Sequence, residues 1–339
     1  MSNALTDLLS VRDWLLLDGA TGTTLFNMGL VSGDAPELWN VEQPDKIRAL
    51  HEGFIEAGSD VILTNSFGGS AYRLKLHDAQ GRVFELNKAA AEIARDCADR
   101  AGRPVVVAGS LGPTGEILQP IGALAHVDAV AAFEAQIEGL MAGGADVIWA
   151  ETISSEEEYR AAAEAAANQG APFCATLSFD TAGRTMMGVT SEAWAGIAAT
   201  TTPRPIALGA NCGTGAPDLL RTVLGITAAD PEAIVIAKGN AGIPKYVDGH
   251  IHYDGTPELM ADYARLARDA GARLIGGCCG TKTEHLSAMR AALEAHTPGE
   301  RPALETIVER LGGFSSASDG TGEAPSSEND GRRRRRRRG

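Results

Sequence analysis

Aromatic residues are scarce in this 339-residue chain, at 5% of the total, and no apolar run approaches the length that spans a bilayer. A membrane-embedded protein is thereby unexpected. Residues 1–13 carry mixed charge without a long apolar stretch, so no secretory signal is expected there. Cysteine is sparse too: five, an odd number with no regular framework, which fits a reducing compartment and places the protein in the cytoplasm. The seven histidines form no His-Glu-x-x-His motif, and no glycine-rich dinucleotide fingerprint follows the first strand-like run. Cationic surface is also missing. The net charge is −14, and without the seven consecutive arginines at 332–338 the rest carries −21, a poor match for nucleic acid. Hydrophobic residues, at 44%, are ample for a core.

What is present is unusual in placement. Gly276-Gly277-Cys278-Cys279-Gly280 ends the apolar run Arg273-Leu274-Ile275, and Gly209-Ala210-Asn211-Cys212-Gly213 ends another, Pro205-Ile206-Ala207-Leu208. Successive side chains on a strand point to opposite faces, so adjacent cysteines converge only where the strand loses regularity, and the flanking glycines permit that. Three thiolates at two strand ends can hold one soft ion, zinc above others, and leave a fourth position open as catalytic sites do. A vicinal pair alone could equally be chance or a redox couple; the third cysteine in a similar frame favours metal. Cys97, in a helical pattern, and Cys174, inside an apolar run, read as packing residues.

Strand-like runs at 14–20, 60–67, 105–112, 146–153, 173–179, 207–213, 234–239 and 274–277 alternate with amphipathic helical patterns such as 44–57, 83–101, 128–142, 155–168, 216–224 and 256–270. Several helices end at glycine just before the next strand. Eight such units predict one (β/α)8 barrel over residues 1–313, an open doubly wound sheet being the alternative. Residues 314–339 lack core formers and read as a disordered tail ending in the arginine run. Polar residues gather after the strands: Asp18-Gly19, Thr64-Asn65-Ser66-Phe67, Glu151-Thr152, Asn211-Cys212, Lys238-Gly239-Asn240 and Cys278-Cys279. In a barrel all of these face one mouth, where such folds place chemistry.

Zinc held by three anionic thiolates is a weak Lewis acid for polarising a carbonyl or activating water. It is suited to binding a substrate thiol as thiolate while keeping that sulfur nucleophilic, so thiol alkylation is the expected chemistry. His250 and His252 lie in a polar loop and read as solvated.

The motifs 17–23, 57–67, Glu151-Thr152, 209–212 and 276–281 together resemble the homocysteine S-methyltransferase family, over nearly the whole chain to about residue 295. The resemblance implies a zinc barrel with Cys212, Cys278 and Cys279 as ligands to one ion per chain, homocysteine as acceptor and methionine as product. It implies that Glu151 holds the homocysteine amino group and that Asp18 is the family's acid after the first strand. Gly19, Asn65, Phe67, Thr152 and Asn240 are expected in the substrate site, Asn240 matching an asparagine that occupies zinc's fourth position until homocysteine arrives.

The donor is less defined. Betaine-using members carry tyrosines where this chain has Gly68 and Thr152, and a quaternary ammonium needs such aromatic faces. Segments 36–40, 64–67, 111–114 and 240–244 are similar instead to the homocysteine half of cobalamin-dependent methionine synthase. On that likeness the methyl group comes from methylcobalamin on a separate corrinoid protein, since the chain stops soon after one barrel. A self-sufficient enzyme using betaine or S-methylmethionine is the alternative, and a non-catalytic zinc-stabilised scaffold a remote one.

Overall fold

The computed structural model describes residues 3–242, 245–247 and 250–321. Eight parallel strands build the sheet: β1 (Leu15–Leu16), β2 (Val61–Leu63), β3 (Val106–Leu111), β4 (Val147–Ile153), β5 (Phe173–Leu177), β6 (Ala207–Cys212), β7 (Val235–Gly239) and β8 (Ala272–Gly277). Each overlaps an expected run, most of them trimmed at the ends. β1 pairs with β8, and the order continues down through β7 to β2. A single parallel bridge, Leu17 to Val61, joins β1 to β2, so the sheet closes on itself as the alternation of eight units requires.

Two apolar layers hold the barrel. Inside lie Leu15, Leu17, Val61, Leu63, Val106, Ala108, Val147, Trp149, Cys174, Ile236 and Leu274, with Leu5, Leu8 and Leu9 of the helix Ala4–Val11 closing the amino-terminal end. Outside, the other strand faces pack on helices including Pro44–Glu56, Val83–Arg100, His126–Ala142, Glu156–Asn168, Ala216–Ala229 and Pro257–Asp269. Cys97 and Cys174 are buried packing residues. Helices Thr21–Asn27, Ser191–Thr200, Thr283–Glu294 and Leu304–Leu311 complete the shell. The first of these has no side-chain cap and contains Gly22 and three threonines, which explains its weak helical signal.

Asp60, fully buried at the foot of β2, fastens the closing seam. Its Oδ2 accepts from Leu16 N at 3.0 Å and pairs with Arg290 Nη1 at 2.8 Å, while Oδ1 meets Arg12 at 2.8 Å and Arg103 at 3.3 Å. An antiparallel hairpin, Lys245–Val247 with His250–His252, stands between β7 and β8; the side chains of His250 and His252 lie outside the described residues. Past residue 313 the chain follows the barrel as far as Thr321. The Phe314 ring lies 4.5 Å from the Arg221 guanidinium, and Ser315 N donates to Asp218 Oδ2 at 3.0 Å. The arginine run lies outside the described residues. No described helix is long and apolar enough to cross a membrane.

Candidate active site

Strand alternation turns an apolar barrel floor into a polar layer. Ser110, Glu151, Thr176 and Lys238 each lie two residues beyond Ala108, Trp149, Cys174 and Ile236, which are inward-facing, and Asn211 lies four beyond Ala207. These side chains therefore form the next tier towards the carboxyl ends. Ser110 Oγ donates to Glu151 Oε1 at 2.6 Å, Thr176 Oγ1 donates to Asn211 Oδ1 at 2.7 Å, and Lys238 Nζ meets Asp18 Oδ1 at 2.8 Å. Trp149 plugs the barrel directly beneath, fully buried.

Above that tier the three expected cysteines converge. Their sulfurs all lie within 4.8 Å of one another, with Cys212 and Cys279 3.9 Å apart. Cys212 ends β6 at φ +62°, a left-handed turn that swings its side chain out of the strand register, and Cys278-Cys279 follow the last residue of β8. The Asn211 amide donates to Cys278 Sγ at 3.7 Å. Such a cluster cannot hold three thiolates unaided. Hydrogen bonds from Cys212 and Cys278 pull the Cys279 thiol below its usual range, and hydrogen bonding to both neighbours drives Cys212 far above it. A cation removes that conflict. Three sulfurs at this spacing are the donor set of a soft divalent ion, so the residues fit zinc.

The cysteines open into a cavity of about 370 Å³, within the range of small-ligand sites. Its wall also carries Gly19, Asn65, Phe67, Glu151, Thr152 and Lys238. Of the expected site residues, Gly19, Asn65, Phe67, Glu151, Thr152 and the three cysteines share this cavity. Asn65 spends its amide donors on Pro36 O and Asn40 Oδ1, so it shapes the wall more than it offers hydrogen bonds. Asp18 is buried just behind, its carboxylate occupied by Lys238 and by Leu63 N at 2.7 Å. Asn240 is not on the wall; its Nδ2 donates to Gly213 O at 3.0 Å, and its buried Oδ1 has no partner among the described residues. Trp39, half-buried beneath Lys46, is also off the wall.

Charge in the tier is tightly balanced. Burial pushes the Glu151 carboxyl up to about 7, with Cys278 and Asp18 adding to the rise and Lys238 and Ser110 opposing it. Burial likewise raises Asp18 against the pull of Lys238. Desolvation works to neutralise Lys238, yet Asp18, Glu151 and Cys278 outweigh it and keep the ammonium charged. The sequence named Lys238 and Asn211 as strand-end polar residues without giving them roles. Ser110 and Thr176 went unremarked, although counting in twos from the apolar floor reaches both. Tyr253, whose ring packs against Gly280 beside Cys279, carries no sequence signal.

Comparison with known proteins agrees with this geometry. The pattern of the homocysteine S-methyltransferase family matches residues 15–293. Crystal structures of the homocysteine methyltransferase MmuM from Escherichia coli superpose well. The metallated form has a TM-score of 0.69 at 27% identity, covering 85% of this chain and 99% of that one. The oxidised form gives 0.68 at 27%, covering 86% and 99%, and the apo form 0.64 at 26%, covering 86% and 100%.

Proposed function

This chain belongs to the homocysteine S-methyltransferase family, and from that premise we propose that it is a zinc-dependent enzyme forming methionine with a methyl group delivered by a methylcorrinoid on a partner protein. That it is a methyltransferase acting on homocysteine follows from the family and from the MmuM match. The observation that carries the rest is the convergence of three cysteine sulfurs in one cavity with Glu151.

Cys212, Cys278 and Cys279 would hold the zinc, which when bound would supply the chemistry that keeps a substrate thiol ionised and nucleophilic. The chain's own residues do the rest. Glu151 Oε1 is engaged by Ser110, and its Oε2 has no hydrogen-bond partner among the described residues, so it is free to accept from the homocysteine ammonium. Lys238 and Asp18 act behind it, the lysine keeping Glu151 ionisable and the aspartate keeping the lysine charged and in place. Asn211 ties Thr152 to the metal loop: its Oδ1 accepts from Thr152 N and its Nδ2 donates to Thr152 Oγ1, both at 2.8 Å, while the same amide reaches Cys278.

The wall composition supports the corrinoid donor. Phe67 is the one Phe, Tyr or Trp side chain on it among the described residues, too few such faces to enclose a quaternary ammonium. Position 68 is glycine and supplies none; its N donates to Glu37 Oε1, which a Cβ there would have to displace. A self-sufficient enzyme with a small onium donor is the second reading; in its favour, this barrel matches 99% of a homocysteine methyltransferase chain no larger than itself. Purified zinc-loaded protein offered homocysteine with methylcobalamin, betaine or S-methylmethionine separates the two. Methionine is expected from the methylcorrinoid alone, and rapid formation from either onium compound would overturn that choice.

A further inference from the structure

Thr152 has φ +62°, a left-handed conformation that a β-branched residue keeps only where its surroundings enforce it. It sits in a β-bulge. β4 pairs with β5 at Ala150 and Ala175 and resumes at Ile153 and Leu177, so Glu151 and Thr152 together face the single residue Thr176. In a regular strand Thr152 would turn to the helical shell and Ile153 into the cavity. The extra residue instead keeps Glu151 and Thr152 both on the cavity wall and returns Ile153 to the outer core.

The extra residue of a bulge is left unpaired by the ladder, and here Asn211 of β6 takes its N–H. Asn211 Oδ1 accepts from Thr152 N at 2.8 Å and, across the bulge, from Thr176 Oγ1 at 2.7 Å. Its Nδ2 donates to Thr152 Oγ1 at 2.8 Å and to Cys278 Sγ at 3.7 Å. The side chain is fully buried, and both acceptor sites and both protons of its amide are engaged. We propose that Asn211 is a positioning residue: it holds the strained turn at Thr152, through that turn aims Glu151 into the cavity, and ties the same turn to the metal loop. One side chain thereby sets the spacing between the acid that takes the ammonium and the ligands beside which the sulfur lies. The proposal rests on the reading of Glu151 as the acid that receives the homocysteine ammonium.

The test is a mutant cycle that removes the amide and, separately, the need for it. Asn211→Ala is made in wild type, in Thr152→Ala, which keeps a Cβ at the left-handed position without the hydroxyl, and in Thr152→Gly, for which that conformation has no steric cost. Homocysteine binding to the zinc-loaded proteins is read by calorimetry, and zinc affinity by chelator competition. Asn211→Ala should weaken homocysteine binding about tenfold in the wild-type and Thr152→Ala backgrounds, and by no more than about twofold in Thr152→Gly. Zinc affinity should fall by the same factor in all three backgrounds, because the bond to Cys278 does not run through Thr152. Should alanine at 211 fail to fold, Asn211→Ser, which leaves a hydroxyl in the space, is carried through the same backgrounds with the same expected pattern. An equal loss of homocysteine binding in all three backgrounds, or a loss in none, would overturn the proposal, as would a zinc affinity that the change at 211 leaves untouched. Wild-type protein that binds zinc but not homocysteine would instead overturn the reading of Glu151 and its cavity.

Discussion

Replacing Glu151 by glutamine should make the substrate-free protein more stable while weakening its hold on homocysteine. The carboxyl titrates at about 7 in the folded protein against 4.5 for an unperturbed glutamate, chiefly through burial. An acid whose folded pKa is raised binds more protons in the native state between those two values. Stability therefore falls as pH rises through that window, and the whole penalty is present above pH 7. At about 1.4 kcal/mol per pKa unit, the ionised group costs the fold ~3 kcal/mol, an order-of-magnitude figure that already contains the opposing pull of Lys238. Glutamine keeps the shape and can still bond Ser110, but carries no charge to desolvate. Urea denaturation of metal-free wild type and Glu151→Gln between pH 4 and pH 9 measures the difference directly. The variant should be more stable by a few kcal/mol at pH 8 and the curves should converge below about pH 5. In zinc-loaded protein the same variant should bind homocysteine at least tenfold more weakly, because the ammonium loses its ionic partner. A Glu151→Gln protein less stable than wild type at pH 8 would refute the claim that this charge is held at a cost for the sake of the substrate.

Three further outcomes follow from the same site. Cys279→Ala should leave a two-sulfur site that retains no stoichiometric zinc after dialysis against a weak chelator, read by metal analysis. Ser110→Ala removes a hydrogen bond that favours the Glu151 carboxylate, so the acid limb of homocysteine affinity should move upward in pH by about one unit, given about 1.5 kcal/mol for a bond to a charged group. Asp18→Asn leaves the buried Lys238 ammonium without its partner at 2.8 Å and should cost about 3 kcal/mol or more in denaturation experiments at neutral pH.

The barrel was legible because each strand is a short apolar run and each intervening helix repeats with its own period. Both signals are local, as is the pairing of a polar residue with each strand end. Cys212, Cys278 and Cys279 could be read together once those ends were placed on one rim. Helix Thr21–Asn27 escaped because threonine and glycine give it no propensity signal; its place is fixed by packing over the barrel. Ser110 and Thr176 look like ordinary small strand residues until register shows which neighbours they face. Tyr253 depends on a loop returning to Gly280, a contact that no periodicity encodes. Asn240 shows the opposite limit: its motif was plain, yet the backbone sets its side chain against Gly213 and away from the cavity wall.

The two-residue β1 and its lone bridge to β2 bear on how the barrel breathes. Seven of the eight strand-to-strand junctions are ladders of two to five paired residues, while the eighth has one pair and the Asp60 carboxylate below it. Sub-global opening in a closed sheet starts where the fewest backbone bonds must break. On its β1 side, that seam borders the strand leading to Asp18 and, next to it, β8, which leads to Cys278-Cys279. Four donors converging on Asp60, at the end of the barrel away from the cavity, thus act as a clasp on the catalytic rim. Their loosening would exchange the amides of β1 first and dissolve the acid–lysine pair before the helical shell gave way.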